Sequence, residues 1–434
     1  MQIERFGRFG ILGGGVFFTV VGLANPFFTL YASELGASTF AVGMMVTLRA
    51  VLPIVIAMPA GQLIDTVGPM RMLSLGVGAL VASLVCTVMA QGIPLLALSQ
   101  VLLGAAIIVS ASSLQVLVAK GERDRRNDAI KRYSMWMSGG GMLGPLVGGL
   151  IASLFAEPQD GYRAAFIVSS VATALFLCAI LWLARSYRHR PVEGGPAVRE
   201  VLSARGVLDS YKRGIDLTAH RPVQFGLTGT FLIMYIQALY MSFLPLYLDE
   251  NGYETMMISA IISLKGLAGM LSRFLLGALM TRFTLETILT TAGTVAAVCV
   301  MLTPLAVDWP PTMIAVALIL GASVGVNLPV SIMIMVEAVG ETERGKLMGL
   351  RLLVNRFSQI LSPAMFGVLG QAFGLGTAFL SGGTLLVATV LGFTLHARAR
   401  MGGETWGTAP SGATASPPAP PAPASPAPDR GAAS

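Results

Sequence analysis

Five cationic side chains interrupt stretches that are otherwise apolar: Arg49, Lys265, Arg273, Arg351 and Arg356. A cation at the centre of a lipid-embedded helix costs roughly 2.5–3.5 kcal/mol even on a lenient insertion scale. Such a group faces a cavity, a partner or an anionic ligand. Counter-ions are scarce: Asp65 and Glu337 stand near the ends of apolar stretches, and no carboxylate stands in the middle of one. The chemistry on offer is anion recognition, not bond making. The chain has no HExxH, no GxSxG and no paired carboxylates within an apolar stretch. GETERGKL at 340–347 nearly spells a phosphate-binding loop, but Leu347 takes the place of the magnesium-binding hydroxyl and no strand precedes it. Cys86, Cys178 and Cys299 form no CxxC pair, and His189, His220 and His396 show no ligand spacing. We expect no metal, no cofactor and no enzymatic activity.

The elements that carry these cations follow from composition. Charged residues make up 12% of the chain and apolar residues 54%, against about 25% charged in a soluble domain. Apolar stretches of about 20 residues recur, long enough for a bilayer core of roughly 30 Å. The pattern predicts twelve spans at roughly 9–32, 39–61, 71–90, 93–118, 132–155, 163–184, 224–248, 256–280, 286–307, 310–337, 345–370 and 376–398. The first span is retained, because no cleavage site follows it.

The loops alternate in charge. Of 29 Lys and Arg residues, 23 fall on the side of the N-terminus and of loops 120–132, 185–222 and 341–346; only Arg163 falls on the other. The positive-inside rule makes the first side, with both termini, cytoplasmic. This distribution also explains the +7 net charge without nucleic acid. Segment 185–222 divides the spans six and six. The tail, with SPPAPPAPASPAP, has no apolar face to bury and is expected to be disordered. The resulting division is a six-helix bundle at 1–190, a linker at 191–222, a second bundle at 223–400 and a tail at 401–434.

The halves repeat at an offset of 216 residues. FFTLYASELG at 27–36 aligns with FLPLYLDENG at 243–252, matching Phe27/Phe243, Leu30/Leu246, Tyr31/Tyr247, Glu34/Glu250 and Gly36/Gly252. Leu48/Leu264, Gly61/Gly277 and Leu63/Leu279 extend the register. A six-span repeat keeps its orientation, so the halves are related by an axis along the membrane normal, with a site between them at the midplane. Arg49 and Lys265 also differ by 216. Each lies 11 residues into its helix, roughly 16 Å deep at 1.5 Å per residue, close to the midplane. The matched pair either flanks a central cavity and binds an anionic substrate group, or is a structural pair satisfied by polar groups.

Between spans 2 and 3 stands GQLIDTVGPMRML (61–73), and in span 5 GGMLGPLVGG (140–149). With the six-plus-six layout, these resemble the major facilitator superfamily over about residues 9–398, in particular its drug–proton antiporters. The resemblance implies an all-α fold of two pseudo-symmetric six-helix bundles. It assigns Gly61, Asp65, Gly68 and Arg71 to a gating loop, with Arg351 of span 11 as a partner that Asp65 could reach. It assigns Gly140, Gly144, Pro145, Gly148 and Gly149 to the antiporter motif. Thr66 and Met70 depart from the loop motif, and Gln100 stands where the fourth-span motif usually begins with Arg. Spans 1, 4, 7 and 10 line the cavity in this family, which adds Asn25, Gln237, Tyr240 and Asn327 to the candidate substrate residues. Arg356, near Asn355 and Gln359, joins them from span 11. Each of these polar residues serves equally as a helix–helix hydrogen bond.

The expected function is secondary active transport by alternating access. The resemblance points to efflux of a small anionic or amphipathic organic compound in exchange for protons, by a monomer in the inner membrane. The alternatives are a proton-coupled importer of an organic anion and a non-transporting sensor or scaffold.

Overall fold

The computed structural model describes residues 2–119, 123–187, 216–340 and 343–401. Most of the linker and nearly all of the tail lie outside them. Twelve spans long and apolar enough to cross a membrane occur among the described residues. In lipid a span must satisfy its own backbone, and helices do so within one segment. Span 1 runs from Gln2 to Glu34 in two pieces, Gln2–Ala24 and Phe27–Glu34. Spans 2 to 6 are Thr39–Val67, Pro69–Val88, Ile93–Ala119, Arg123–Ala152 and Pro158–Ala184. Spans 7 to 12 are Arg221–Glu250, Thr255–Met280, Leu285–Ala306, Pro310–Glu337, Arg344–Phe373 and Leu375–Met401.

Local sequence sets the ends. Ser38 caps span 2 by accepting from the Ala41 amide at 3.2 Å. Thr284 caps span 9 by accepting from the Thr287 amide at 3.3 Å. Proline opens spans 3, 6, 7 and 10, where its missing N–H costs nothing. Gly68 joins spans 2 and 3 in a single residue with φ of +99°, a region that L side chains avoid.

Two stretches differ from the sequence reading. The basic segment expected as a loop at 120–132 is helical from Arg123, so span 5 begins about two and a half turns early. Span 1 is not continuous. Pro26 cannot donate to the Gly22 carbonyl, and the helix stops at Ala24 and restarts at Phe27.

The repeat holds in three dimensions. Spans 2 and 8 start at Thr39 and Thr255, and spans 3 and 9 at Pro69 and Leu285, each pair 216 apart. Gly36 and Gly252 turn the chain with φ of +83° and +79°. Spans 5 and 11 follow a different register: both have 30 residues, and their starts and ends differ by 221.

The halves meet along two seams. Span 2 packs on span 11, and span 5 on span 8. At Gly43 an added Cβ would stand 2.5 Å from the Pro363 carbonyl oxygen and 3.0 Å from the Gly367 Cα. Nearby, the Thr47 hydroxyl donates to the Ile360 carbonyl at 3.2 Å. On the other seam, Gly149 lies against the Ser259 hydroxyl. Gly43 and Ser259 are themselves 216 apart, so both seams close at corresponding positions. They lie one turn into spans 2 and 8, at the end of the bundle away from the start of span 1.

Candidate functional site

Arg49 sits in a polar knot inside the N-terminal half. Its Nε and Nη2 donate to the Gln100 Oε1 of span 4 at 2.8 and 2.5 Å. Its Nη1 donates to the Asn25 Oδ1 at 2.5 Å. The guanidinium carbon also lies 5.9 Å from the Phe28 ring centroid. The broken span 1 matters here, because Asn25 stands in the gap between its two pieces. Span 4 can come this close because Gly104 has no Cβ; one there would strike the Arg49 carbonyl oxygen. The knot brings together two sequence candidates, Arg49 and Asn25. Its third member, Gln100, stands where the resemblance expects Arg. The sequence showed that departure but not its consequence: span 2 supplies the guanidinium, and Gln100 receives it.

Lys265 occupies the matching place in the other half, with a different environment. Gly321 of span 10 abuts the Lys265 carbonyl, as Gly104 abuts that of Arg49. The ammonium lies 5.6 Å from the Tyr240 ring centroid, a cation–π distance. Among the described residues it has no hydrogen-bond acceptor. In the register that matches Gly104 with Gly321, Gln100 corresponds to Ala317, and at the 216 offset Asn25 corresponds to Met241, so both acceptors of the knot are replaced by apolar side chains. Tyr240 is itself fixed: its hydroxyl donates to the Cys299 carbonyl at 3.3 Å and also bonds the Thr303 hydroxyl. Close to it in sequence, the buried Gln237 Oε1 has no partner among the described residues.

The remaining candidates are dispersed. Arg356 donates from Nη1 to the Gln359 Oε1 at 2.7 Å, and Gln359 donates from Nε2 to the Asn355 Oδ1 at 2.9 Å. This ladder lies along span 11. Asn327 is fully buried on span 10 and lines an apolar cavity within the C-terminal half. In the gating loop, Gly68 makes the tight joint already described, and Arg71 is exposed on the first turn of span 3. Gly61 and Asp65 belong to the span 2 helix, but the Asp65 side chain lies outside the described residues. Arg351 is half-buried, and its Nε has no hydrogen bond among the described residues.

The span-5 motif is a packing device with two faces. Gly140, Gly144 and Gly148 recur every four residues and form one ridge against span 1. A Cβ on Gly144 would meet the Thr19 carbonyl oxygen at 2.5 Å and the Leu23 amide at 2.7 Å. Gly140 abuts the Gly15 carbonyl, and Gly148 the Leu23 carbonyl. Pro145, inside the helix, lies against Gly22. Gly149 faces the other way, onto the seam with Ser259.

The sequence matches the Major Facilitator Superfamily over residues 10–309 and 287–428. Two curated relatives are named multidrug resistance protein MdtG. The one from Citrobacter koseri is 25% identical over 82% of this chain and 86% of its own length. The one from Dickeya zeae is 25% identical over 84% and 88%. Among solved structures, the nucleoside transporter NupG superposes with a TM-score of 0.71 at 12% identity, covering 92% of this chain and 99% of that one. An inward-facing, unoccupied bacterial homologue of the human lysosomal transporter Spinster gives a TM-score of 0.69 at 17% identity, covering 92% and 96%. At such identities the likeness is one of fold.

Proposed function

We propose, from the premise that this chain belongs to the major facilitator superfamily, that it exports a small anionic or amphipathic organic compound in exchange for protons. The coarser part follows from the family: the chain is a multi-pass membrane transporter, not an enzyme. The bundles 1–190 and 223–400 rock against each other about the two seams, with 191–222 as the connecting linker and 401–434 as a tail. The positive-inside rule supports cytoplasmic termini in a bacterial inner membrane.

One observation carries the substrate reading. Of two cations at repeat-matched positions, Arg49 is engaged by Asn25 and Gln100, whereas Lys265 has a ring for a neighbour and no acceptor among the described residues. A half-buried ammonium without an acceptor favours an anionic ligand. In this reading Lys265 binds the anionic group, while Tyr240 and Gln237 shape its surroundings. Arg49 holds spans 1, 2 and 4 together as the opposite wall. The multidrug-resistance names of the relatives and the span-5 glycine motif support export. Proton exchange rests on the antiporter resemblance.

The test is thermal stabilisation of the purified protein by matched panels of anionic and cationic amphipathic compounds, followed by flux in proteoliposomes under an imposed pH gradient. Anions should stabilise the protein, and Lys265→Gln should remove that effect. Stabilisation by cations alone would overturn the substrate class. Gradient-independent flux would overturn proton exchange.

A further inference from the structure

The glycine ridge of span 5 has no counterpart in span 11. In the 221-residue register, Gly140, Gly144 and Gly148 correspond to Leu361, Met365 and Leu369. On the facing helix, Gly15 and Thr19 of span 1 correspond at 216 to Phe231 and Tyr235 of span 7. Small residues on both sides bring spans 1 and 5 into backbone contact. At the same places spans 7 and 11 carry large side chains, and they touch instead through the Ser362 hydroxyl, which donates to the Tyr235 carbonyl at 2.8 Å. Behind them the C-terminal half is thinned where the N-terminal half is filled: Gly293 of span 9 corresponds at 216 to the buried Val77 of span 3.

The outcome is a cavity of about 210 Å³ enclosed by spans 7, 9, 10, 11 and 12, above the roughly 150 Å³ that admits benzene. Its wall is aliphatic and aromatic, and no charged side chain lines it among the described residues. Its rim includes Met365 and Leu385, which are 39% and 60% exposed on the apolar circumference of the bundle. The approach is therefore sideways, from the hydrocarbon. The inner wall is polar at two points. Asn327 is 0% exposed, and neither its Nδ2 nor its Oδ1 has a hydrogen-bond partner among the described residues. The Thr290 hydroxyl, also on the wall, has none among them either. A buried amide with both functions unmatched is costly, and it offers a donor and an acceptor to whatever enters.

We propose that this cavity is a binding site for an uncharged aromatic lipophile that enters from the bilayer and presents one hydrogen-bonding group to Asn327. The site is separate from Lys265 and stands whether or not the anion reading holds.

Two dyes that differ by one sulfonate test it: neutral N-phenyl-1-naphthylamine and anionic 1-anilinonaphthalene-8-sulfonate. Binding is followed by fluorescence to the full chain in nanodiscs, with empty nanodiscs as the baseline. The neutral dye should bind saturably. A Cβ on Gly293 would stand 3.1 Å from the Leu232 Cδ2 and 3.9 Å from the Asn327 Nδ2, so Gly293→Val should fill the cavity and weaken binding about tenfold or more. Leu386→Phe fills it from span 12 if the valine variant fails to fold. Asn327→Leu should weaken the amine about threefold to tenfold while leaving 1-phenylnaphthalene, which lacks the N–H, unchanged. Neutral-dye binding that survives both filling substitutions overturns the site. Anionic-dye binding of equal strength that is lost in Gly293→Val overturns the uncharged ligand class.

Discussion

Spans 1 and 5 and spans 7 and 11 occupy the same places in the two halves, yet they meet differently. The first pair closes glycine on backbone; the second meets through leucine, methionine, aromatic rings and one serine hydroxyl on a carbonyl. Between helices in lipid there is little hydrophobic drive, so close backbone packing supplies the attraction. The N-terminal half spends its surface on that attraction, and its cation is tied into the same framework by Asn25 and Gln100. The C-terminal half forgoes it between spans 7 and 11, keeps a cavity there, and leaves its cation over a ring. A repeated architecture thus carries a rigid copy and a receptive copy.

The sharpest way to break this contrast is to fill the ridge. Gly144→Leu places a side chain on the backbone of Thr19 and Leu23, where no rotamer relieves it. It should abolish the monodisperse peak in size-exclusion chromatography. Its register partner Met365→Leu, a near-isosteric change, should cost less than about 1.5 kcal/mol. Equal tolerance at both positions would dissolve the distinction between the copies.

Next in size is the seam between halves. Gly43→Val should hold span 2 away from Pro363 and Gly367. The protein should stay folded, and transport should fall to background in proteoliposomes. Retained flux would show that this seam need not close during the cycle.

The two cations then separate by their readouts. Arg49→Gln leaves Asn25 and Gln100 without their donor and should lower thermal stability by about 1–3 kcal/mol. Lys265→Gln removes an ammonium that has no acceptor, so stability should hold or rise while anion binding is lost. Identical melting shifts would make the pair structural on both sides.

The smallest effect is expected at the turns that the halves share. Gly36→Ala and Gly252→Ala each force a Cβ into positive φ and should cost about 1–2 kcal/mol apiece. Unequal losses in calorimetry would mean that even this repeated turn differs in its surroundings.

Much of the architecture was legible in the sequence because it rests on periodic or compositional signals. Hydropathy placed twelve spans, and one register of 216 aligned Gly36 with Gly252 and Arg49 with Lys265. What escaped depends on neighbours across space. Gln100 read as a departure from a motif, and only the fold shows it receiving Arg49. The break at Asn25–Pro26 was hidden by the apolar residues on both sides. The cavity was hidden more deeply, because leucine for glycine in span 11 raises hydropathy while lowering packing. The five-residue shift in register between spans 5 and 11 also conceals which residues correspond. For Asp65 and the tail, the sequence expectation lies beyond the described residues.

The break in span 1 has a mechanical consequence. A continuous helix of thirty residues is a beam, and a tilt applied at one end appears at the other. Span 1 is instead two struts on a pin. Its long strut is clasped by the span-5 ridge, while its short strut, Phe27–Glu34, touches span 7 of the opposite half. Torque on one strut need not reach the other, because the pin at Asn25–Pro26 lacks the Gly22 hydrogen bond that would transmit it. The Arg49 knot sits on that pin, so it governs how stiff the joint is.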